Sequence, residues 1–235
     1  MIKTILYPTT QNAFVWLSSM YLLFLLYLGK ATPMTILFAY FLETIVIGLF
    51  NALKMFWSIQ FGKSKSGFGL ILFFLFHYGF FVAIQSIFGF ALFGIEAKGI
   101  IKEPFHILEN YTNILELQDI KYALPAIIFM HLGKFLTDFI GNKKYNTFSA
   151  NEIMFKPYLR IFIQQFVVII SSFFMVLGKV GIIAAILLIL FRLIVDLFLE
   201  SIKENSEVID VLSKKLANEK TSKDEVKKQL IIFTE

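Results

Sequence analysis

The sequence predicts an all-α membrane protein. It reads as a bundle of six transmembrane helices with a polar interior, one outer loop carrying a short interfacial helix, and a cytoplasmic helical tail. Three observations predict this. Of 235 residues, 57% are hydrophobic and 17% are charged, against about 45–50% apolar and about 25% charged in a soluble domain. Mean hydropathy is +0.74. The apolar excess is gathered into six runs bounded by charges or turn residues. No ten-residue alternation of the kind that marks membrane strands occurs, so helices must satisfy the backbone in hydrocarbon. An ordinary soluble enzyme, a disordered chain and a disulfide scaffold are all excluded. With no cysteine, so are thiolate metal sites, Fe–S clusters and dithiol redox chemistry.

A span needs about 20 apolar residues, because a rise of about 1.5 Å per residue must cross about 30 Å. The expected spans are Ala13–Leu28, Met34–Trp57, Phe68–Phe93, Tyr122–Ile140, Pro157–Leu177 and Gly181–Leu199. The first ends at Gly29-Lys30 with no small-x-small cleavage pattern, so it reads as a retained span. Pro33 and Pro157 fit first-turn helix positions, where a missing N–H costs little. Pro125 falls within a turn of its span's start. The outer loop, residues 94–121, places Phe105, Leu108, Tyr111 and Leu115 at helical spacing after Pro104, which predicts a short helix lying in the interface or capping the bundle. Asn110-Tyr111-Thr112 is a glycosylation sequon, read as accidental.

Residues 1–199 form the expected membrane domain and 200–235 a polar, helical tail. Ser222 and Glu225 have capping-box spacing. Ile202, Ile209, Leu212, Leu216, Val226 and Leu230 fall on heptad places, so the tail is either solvated or a coiled-coil link to another subunit or membrane partner. With the N-terminus cytoplasmic, one side of the bilayer holds fifteen Lys and Arg and the other five. The positive-inside rule then puts both termini in the cytoplasm. The net charge of +5 fits cytoplasmic loops and anionic lipid rather than nucleic acid. Twenty Lys against two Arg hint at an AT-rich prokaryotic genome, hence a cell inner membrane.

Charged residues at mid-bilayer are costly, and they usually face the bundle interior. In the second span Tyr40, Glu43, Ile47, Asn51 and Lys54 share a face, with Gly48 beside it. The third carries His77, on a stripe with Phe74, Phe81, Gln85 and Phe88. Glu43 and His77 sit at matching expected depths on neighbouring helices and are expected to touch. The fourth carries His131, then Lys134 and Asp138, an i,i+4 pair. The fifth carries Arg160, Gln164 and Ser171, and the sixth Arg192, Asp196 and Glu200. Glu43, His77 and His131, with Asn51 and Gln164 nearby, form one expected layer. Lys54, Lys134, Asp138, Arg160, Arg192 and Asp196 form another nearer the cytoplasm. The first layer has several readings: a hydrogen-bonded lock on helix packing, a divalent-metal centre held by Glu43, His77 and His131, a proton or ion relay, or haem on the two histidines. The second reads as neutralising pairs or as a pocket for an anion or lipid headgroup.

The segment Tyr40-Phe41-Leu42-Glu43-Thr44-Ile45-Val46-Ile47-Gly48-Leu49-Phe50-Asn51-Ala52-Leu53-Lys54-Met55 resembles a YWxENxVIGxFNxLKM motif. Phe73–Gly79 resembles FFxxHYG, and Pro157-Tyr158-Leu159-Arg160-Ile161 resembles PYxRI. These motifs belong to a prokaryotic multi-pass membrane family known only as a domain of unknown function, and the likeness spans most of 35–200. Glu43, His77, Arg160 and Asp196 match its pattern. Gln85, Gln164 and Glu200 stand where that family often has histidine, and Thr44 where it often has Asn. The resemblance implies a membrane location and a polar interior, and no activity.

Motifs of rhomboid and zinc membrane proteases, a Walker loop and an arginine ladder are absent from the sequence. The expectation is therefore a multi-pass membrane protein, leaning away from an enzyme, whose buried cluster mainly fixes helix packing. Intramembrane metal or haem binding, and a small ion- or proton-coupled transporter or channel, stand as alternatives.

Overall fold

The computed structural model describes residues 8, 12–62, 64–94, 97, 99–158, 161–162, 166, 169, 181–204, 206–217 and 221–234. Those residues are helical throughout their regular structure: α1 Ala13–Tyr27, α2 Pro33–Phe61, α3 Gly69–Phe93, α4 Ile107–Glu116, α5 Ile120–Lys134, α6 over 150–158, α7 Gly181–Glu204, α8 Ser206–Leu216 and α9 Lys223–Thr234. Among the described residues, three stretches are long and apolar enough to cross a membrane: Pro33–Phe61, Gly69–Leu92 and Ile120–Ile140, the last being α5 with its π-helical continuation Phe135–Ile140. Most of the expected fifth span lies outside the described residues.

Local chemistry sets the helix ends. α1 closes on Gly29, whose φ of +64° is the left-handed conformation glycine adopts without penalty. The Lys30 N–H then returns to Leu25 O at 2.9 Å. α2 opens as expected, with Pro33 in its first turn and Thr32 Oγ1 accepting from the Thr35 N–H at 3.1 Å. α6 begins at residue 150, seven residues before Pro157, so that proline lies inside a helix rather than in its first turn. The reason is a capping box: Ser149 N–H and hydroxyl both reach Glu152 Oε2 at 2.9 Å, which starts the helix early. Pro125 sits inside α5, which starts at Ile120.

α2 is the central helix. It packs on α5 and α7 on one side and on α3 on the other, while α1 covers α5 and α7. Close approach is bought by glycine at two crossings. A Cβ on Gly48 would lie 2.8 Å from Tyr78 Cδ1, and one on Gly133 would lie 2.6 Å from Phe14 Cδ1. Among the described residues the core has two large apolar clusters and a smaller one of Val15, Met130, Leu193 and Leu197. One large cluster gathers Ile36–Leu42, Phe90, Ile114 and Ile120 at the α4 end. The other gathers Met55, Phe74, Tyr78, Phe135, Phe148 and Ile153 at the opposite end.

α4 docks by Asn110 and Ile114, both fully buried. Asn110 Oδ1 accepts from the Lys102 N–H at 3.0 Å, and its amide donates to Glu103 O at 2.7 Å. The sequon asparagine is thus a loop staple. Of the expected stripe, Tyr111 turns inward to the Ser86 hydroxyl at 2.8 Å, and burial pushes its phenol up to about 12. Phe105, Leu108 and Leu115 face outward.

The tail folds back on itself. α9 packs on α8 and α7; Ile209, Ser213 and Val226 are buried, and Leu216 is exposed. Two heptad residues are therefore spent within the chain. Lys227 holds Asp210 at 2.7 Å, and Lys228 reaches Glu152 at 3.1 Å, tying the tail to α6. Glu225 N–H to Ser222 Oγ, at 3.3 Å, caps α9.

Candidate functional site: a buried Glu–His–Arg cluster

α2, α5 and α7 all start from the same end of the bundle. Glu43 is ten residues into α2, and His131 and Arg192 are each eleven into α5 and α7. At about 1.5 Å per residue these are depths of about 15, 17 and 17 Å. The three side chains meet between the two large apolar clusters. His131 Nε2 lies 2.6 Å from Glu43 Oε1, and the Arg192 guanidinium donates to the same oxygen. Glu43 is fully buried, and the Arg192 and His131 side chains are only 12% and 9% exposed. Arg192 Nε also faces Asp196 Oδ2 at 3.4 Å. The guanidinium carbon stands 4.4 Å from the Tyr40 ring centroid, a cation–π contact. Phe50 stacks on the His131 ring at 6.0 Å. One carboxylate thus ties three helices, and its partners arrive from sequence separations of 88 and 149.

Sequence reasoning assigned Arg192 and Asp196 to a shallower layer. α7 runs on to Glu204, five residues past the expected span end, so Arg192 lies at its middle. Counting from Gly181 rather than from Leu199 would have found it.

His77 does not join Glu43. The residue that fills the α2–α3 crossing is Tyr78: its ring lies against Gly48, and its hydroxyl donates to Thr44 O at 2.6 Å. One residue along a helix is a rotation of about 100°, so His77 is carried onto the exposed face of α3. There its Nδ1 is 2.7 Å from Tyr158 Oη. Phe74 and Gln85 of the expected stripe are buried, whereas Phe81 and Phe88 are exposed. Among the described residues, no three His, Asp or Glu side chains gather as a metal set. The centre expected from Glu43, His77 and His131 is replaced by a pair whose next neighbour is a cation. Of the two histidines expected for haem, His77 is paired with Tyr158 and His131 with Glu43.

The other expected residues serve as ties. Asn51 donates to Ile153 O at 3.1 Å and Ser58 to Phe148 O at 2.7 Å, so α2 holds the 148–153 segment through buried hydrogen bonds. Lys54 stands 5.8 Å from the Phe139 ring centroid. Asp138, expected beside Lys134, accepts from Lys144 at 2.8 Å and from Asn142 at 3.1 Å. Those partners come from the turn that follows the π-helical segment. Arg160 and Gln164 lie outside the described residues, as does the side chain of Glu200.

Tyr78 and Tyr158 were the least legible participants. Tyrosine in an apolar run reads as core until its hydroxyl's partner is known.

No curated protein and no solved structure matches the chain. A family model described as a family of unknown function, DUF6498, matches residues 1–224. With all but the last residues of its sequence covered by that model, the chain belongs to DUF6498.

Proposed function

We propose that this chain is a multi-pass integral membrane protein of a prokaryotic inner membrane, in which the Glu43–His131–Arg192 cluster fixes helix packing. In this reading residues 1–199 form a six-span domain and 200–235 a cytoplasmic helical tail, with both termini inside. α7, at 24 residues, is about 36 Å long, enough for a span. α1, at 15 residues, reaches only about 22 Å and would need local thinning of the bilayer.

The observation that carries the packing role is that a single oxygen of Glu43 receives hydrogen bonds from two other helices. A buried carboxylate survives in an apolar interior only when paired and hydrogen-bonded. Such networks hold register because a one-residue slip leaves every member unsatisfied. The test is a melting series of purified protein in detergent and in lipid nanodiscs. Glu43→Gln and Arg192→Met are expected to melt well below the parent. Melts equal to the parent would remove the packing role. Carbonate extraction of membranes, with the protein remaining in the pellet, tests the membrane reading separately.

A further inference from the structure

α4 is held level with the ends of its neighbours. Asp119, in the three-residue link from α4 to α5, accepts from the Thr35 hydroxyl in the first turn of α2 at 3.3 Å. Tyr111 reaches further in: its hydroxyl meets Ser86 at 2.8 Å, and its ring stacks on Phe41 at 5.9 Å. Ser86 is seven residues from the end of α3 at Phe93, and Phe41 is eight from the start of α2 at Pro33. Those are depths of about 10 and 12 Å. A helix standing clear of the bundle could not place a side chain there. Under the membrane reading, on which this inference rests, α4 lies where headgroups meet acyl chains. The exposed Tyr122 in the first turn of α5 fits the same boundary, where aromatic rings with a polar tip collect.

The four flanks of α4 differ, at about 100° of rotation per residue. Ile107, Asn110 and Ile114 point into the bundle. Glu109, Thr112 and Glu116 are exposed on the opposite flank, the side of water. Asn113 marks one lateral flank, and the preceding loop covers it: its amide donates to Ile100 O at 2.9 Å. The other lateral flank carries Leu108 and Leu115. Leu108 is 84% exposed, and Phe105, just before the helix, is 74% exposed. Both line an open hollow of about 360 Å³ with His106, Ile107 and Glu109. Lys102 and His106 both pair with Glu109, so the charge at its rim is largely matched. Apolar side chains on a lateral flank, charges above them and a depth at the helix ends together describe a helix seated in a lipid interface.

We propose that α4 is a membrane wedge: Phe105, Leu108 and Leu115 enter the acyl chains of the leaflet at the α4 end, and Glu109, Thr112 and Glu116 stay in water. The occupant of the hollow is lipid hydrocarbon, and its uptake does not depend on headgroup charge.

The chain has no cysteine, so single cysteines report on an otherwise unaltered protein. Phe105→Cys, Leu108→Cys, Thr112→Cys and Glu116→Cys are each nitroxide-labelled in the full chain. They are placed in nanodiscs of phosphatidylcholine, with and without phosphatidylglycerol. Accessibility to oxygen and to a water-soluble nickel chelate then gives depth. Labels at 105 and 108 should favour oxygen and lie about 5–10 Å into the interface, those at 112 and 116 should favour the chelate, and both lipids should give the same values. Phe129→Cys, exposed ten residues into α5, tests the membrane reading by itself. Chelate access there sinks that reading, whereas oxygen access there with chelate access at 108 sinks only the wedge. Exclusion of both reagents at 108, with crosslinking between two copies, overturns the proposal in favour of a subunit contact. Leu108→Trp, read by quenching with lipids brominated on their acyl chains, repeats the measurement without a label; no quenching beyond that of the parent overturns it too.

Discussion

Replacing Glu43 by glutamine keeps the shape and one acceptor oxygen but removes the charge. The Arg192 guanidinium, 12% exposed, then loses the anion that it shares with His131. Breaking one partner out of a buried ion pair costs about 3–5 kcal/mol, and because Gln still accepts a hydrogen bond the lower end, about 3 kcal/mol, is expected. For a chain of this size each kcal/mol moves the midpoint by about 2–4 °C, so Glu43→Gln should melt about 6–12 °C below the parent. Arg192→Met should lose a similar amount, because it leaves a carboxylate with no exposure at all without its guanidinium, with His131 still beside it. The discriminating sample is the double variant. Removing both charges of a buried pair leaves no uncompensated ion, whereas removing one does. Glu43→Gln with Arg192→Met should therefore melt above either single variant, a coupling of about 2–3 kcal/mol. The assay is thermal unfolding in nanodiscs, read by intrinsic fluorescence. Strict additivity of the two losses would refute the claim that these groups act as one unit.

Gly48→Ala should lose about 1–3 kcal/mol through overpacking against the Tyr78 ring; a melt equal to the parent would show that the α2–α3 crossing has room to spare. Asn110→Ala should lose about 1–3 kcal/mol by orphaning the Lys102 N–H, seen as faster proteolysis of the 94–106 loop. EDTA should leave the melting point of the parent protein unchanged, since the third neighbour at the Glu43–His131 pair is a guanidinium; a downward shift restored by added zinc would reopen the metal reading. Burial pulls the Glu152 carboxyl up, but hydrogen bonds from the Ser149 N–H and hydroxyl and from Lys228 outweigh it and hold the group below the usual carboxylate range. A depressed folded value means stability that is complete above about pH 4.5 and lost as pH falls through the folded value. The tail should therefore loosen in acid, read as increased protease cleavage of 217–222 below pH 4; equal cleavage at pH 3 and pH 7 would show that Lys228–Glu152 does not latch it.

Legibility followed amphipathicity. α2 has a polar stripe in an otherwise apolar helix, and the placement of Tyr40 and Glu43 on one inward face was readable from spacing alone. α3 is apolar on every side, so no period distinguishes its faces. Only the fit of the Tyr78 ring against Gly48 decides its rotation, and that is a property of two helices together. Arg192 was identified as buried but set at the wrong depth, because the end of an apolar run is not the end of a helix: α7 continues through polar residues to Glu204. The short α4 helix was legible from the spacing of Phe105, Leu108, Tyr111 and Leu115, but not which of them turn inward: the Asn110 staple fixes its rotation with Ile114 buried and Phe105, Leu108 and Leu115 outward. Pro33 and the Ser222/Glu225 box were legible because caps act within four residues. The Ser149/Glu152 box has the same form and was masked by the expectation that Pro157 opens the helix.

The Glu43–Arg192 contact has a further consequence for the order in which the protein is made. The two residues are 149 apart, so at about 5–20 residues per second a ribosome needs roughly 7–30 s to deliver the guanidinium after the carboxylate. Through that interval the early helices hold an acidic group for which the chain has not yet supplied this counter-ion. Nascent fragments ending before α7 should thus be poorly retained in the bilayer and preferred prey for quality-control proteases. A helix that emerges late is thus the one that lets an early helix settle.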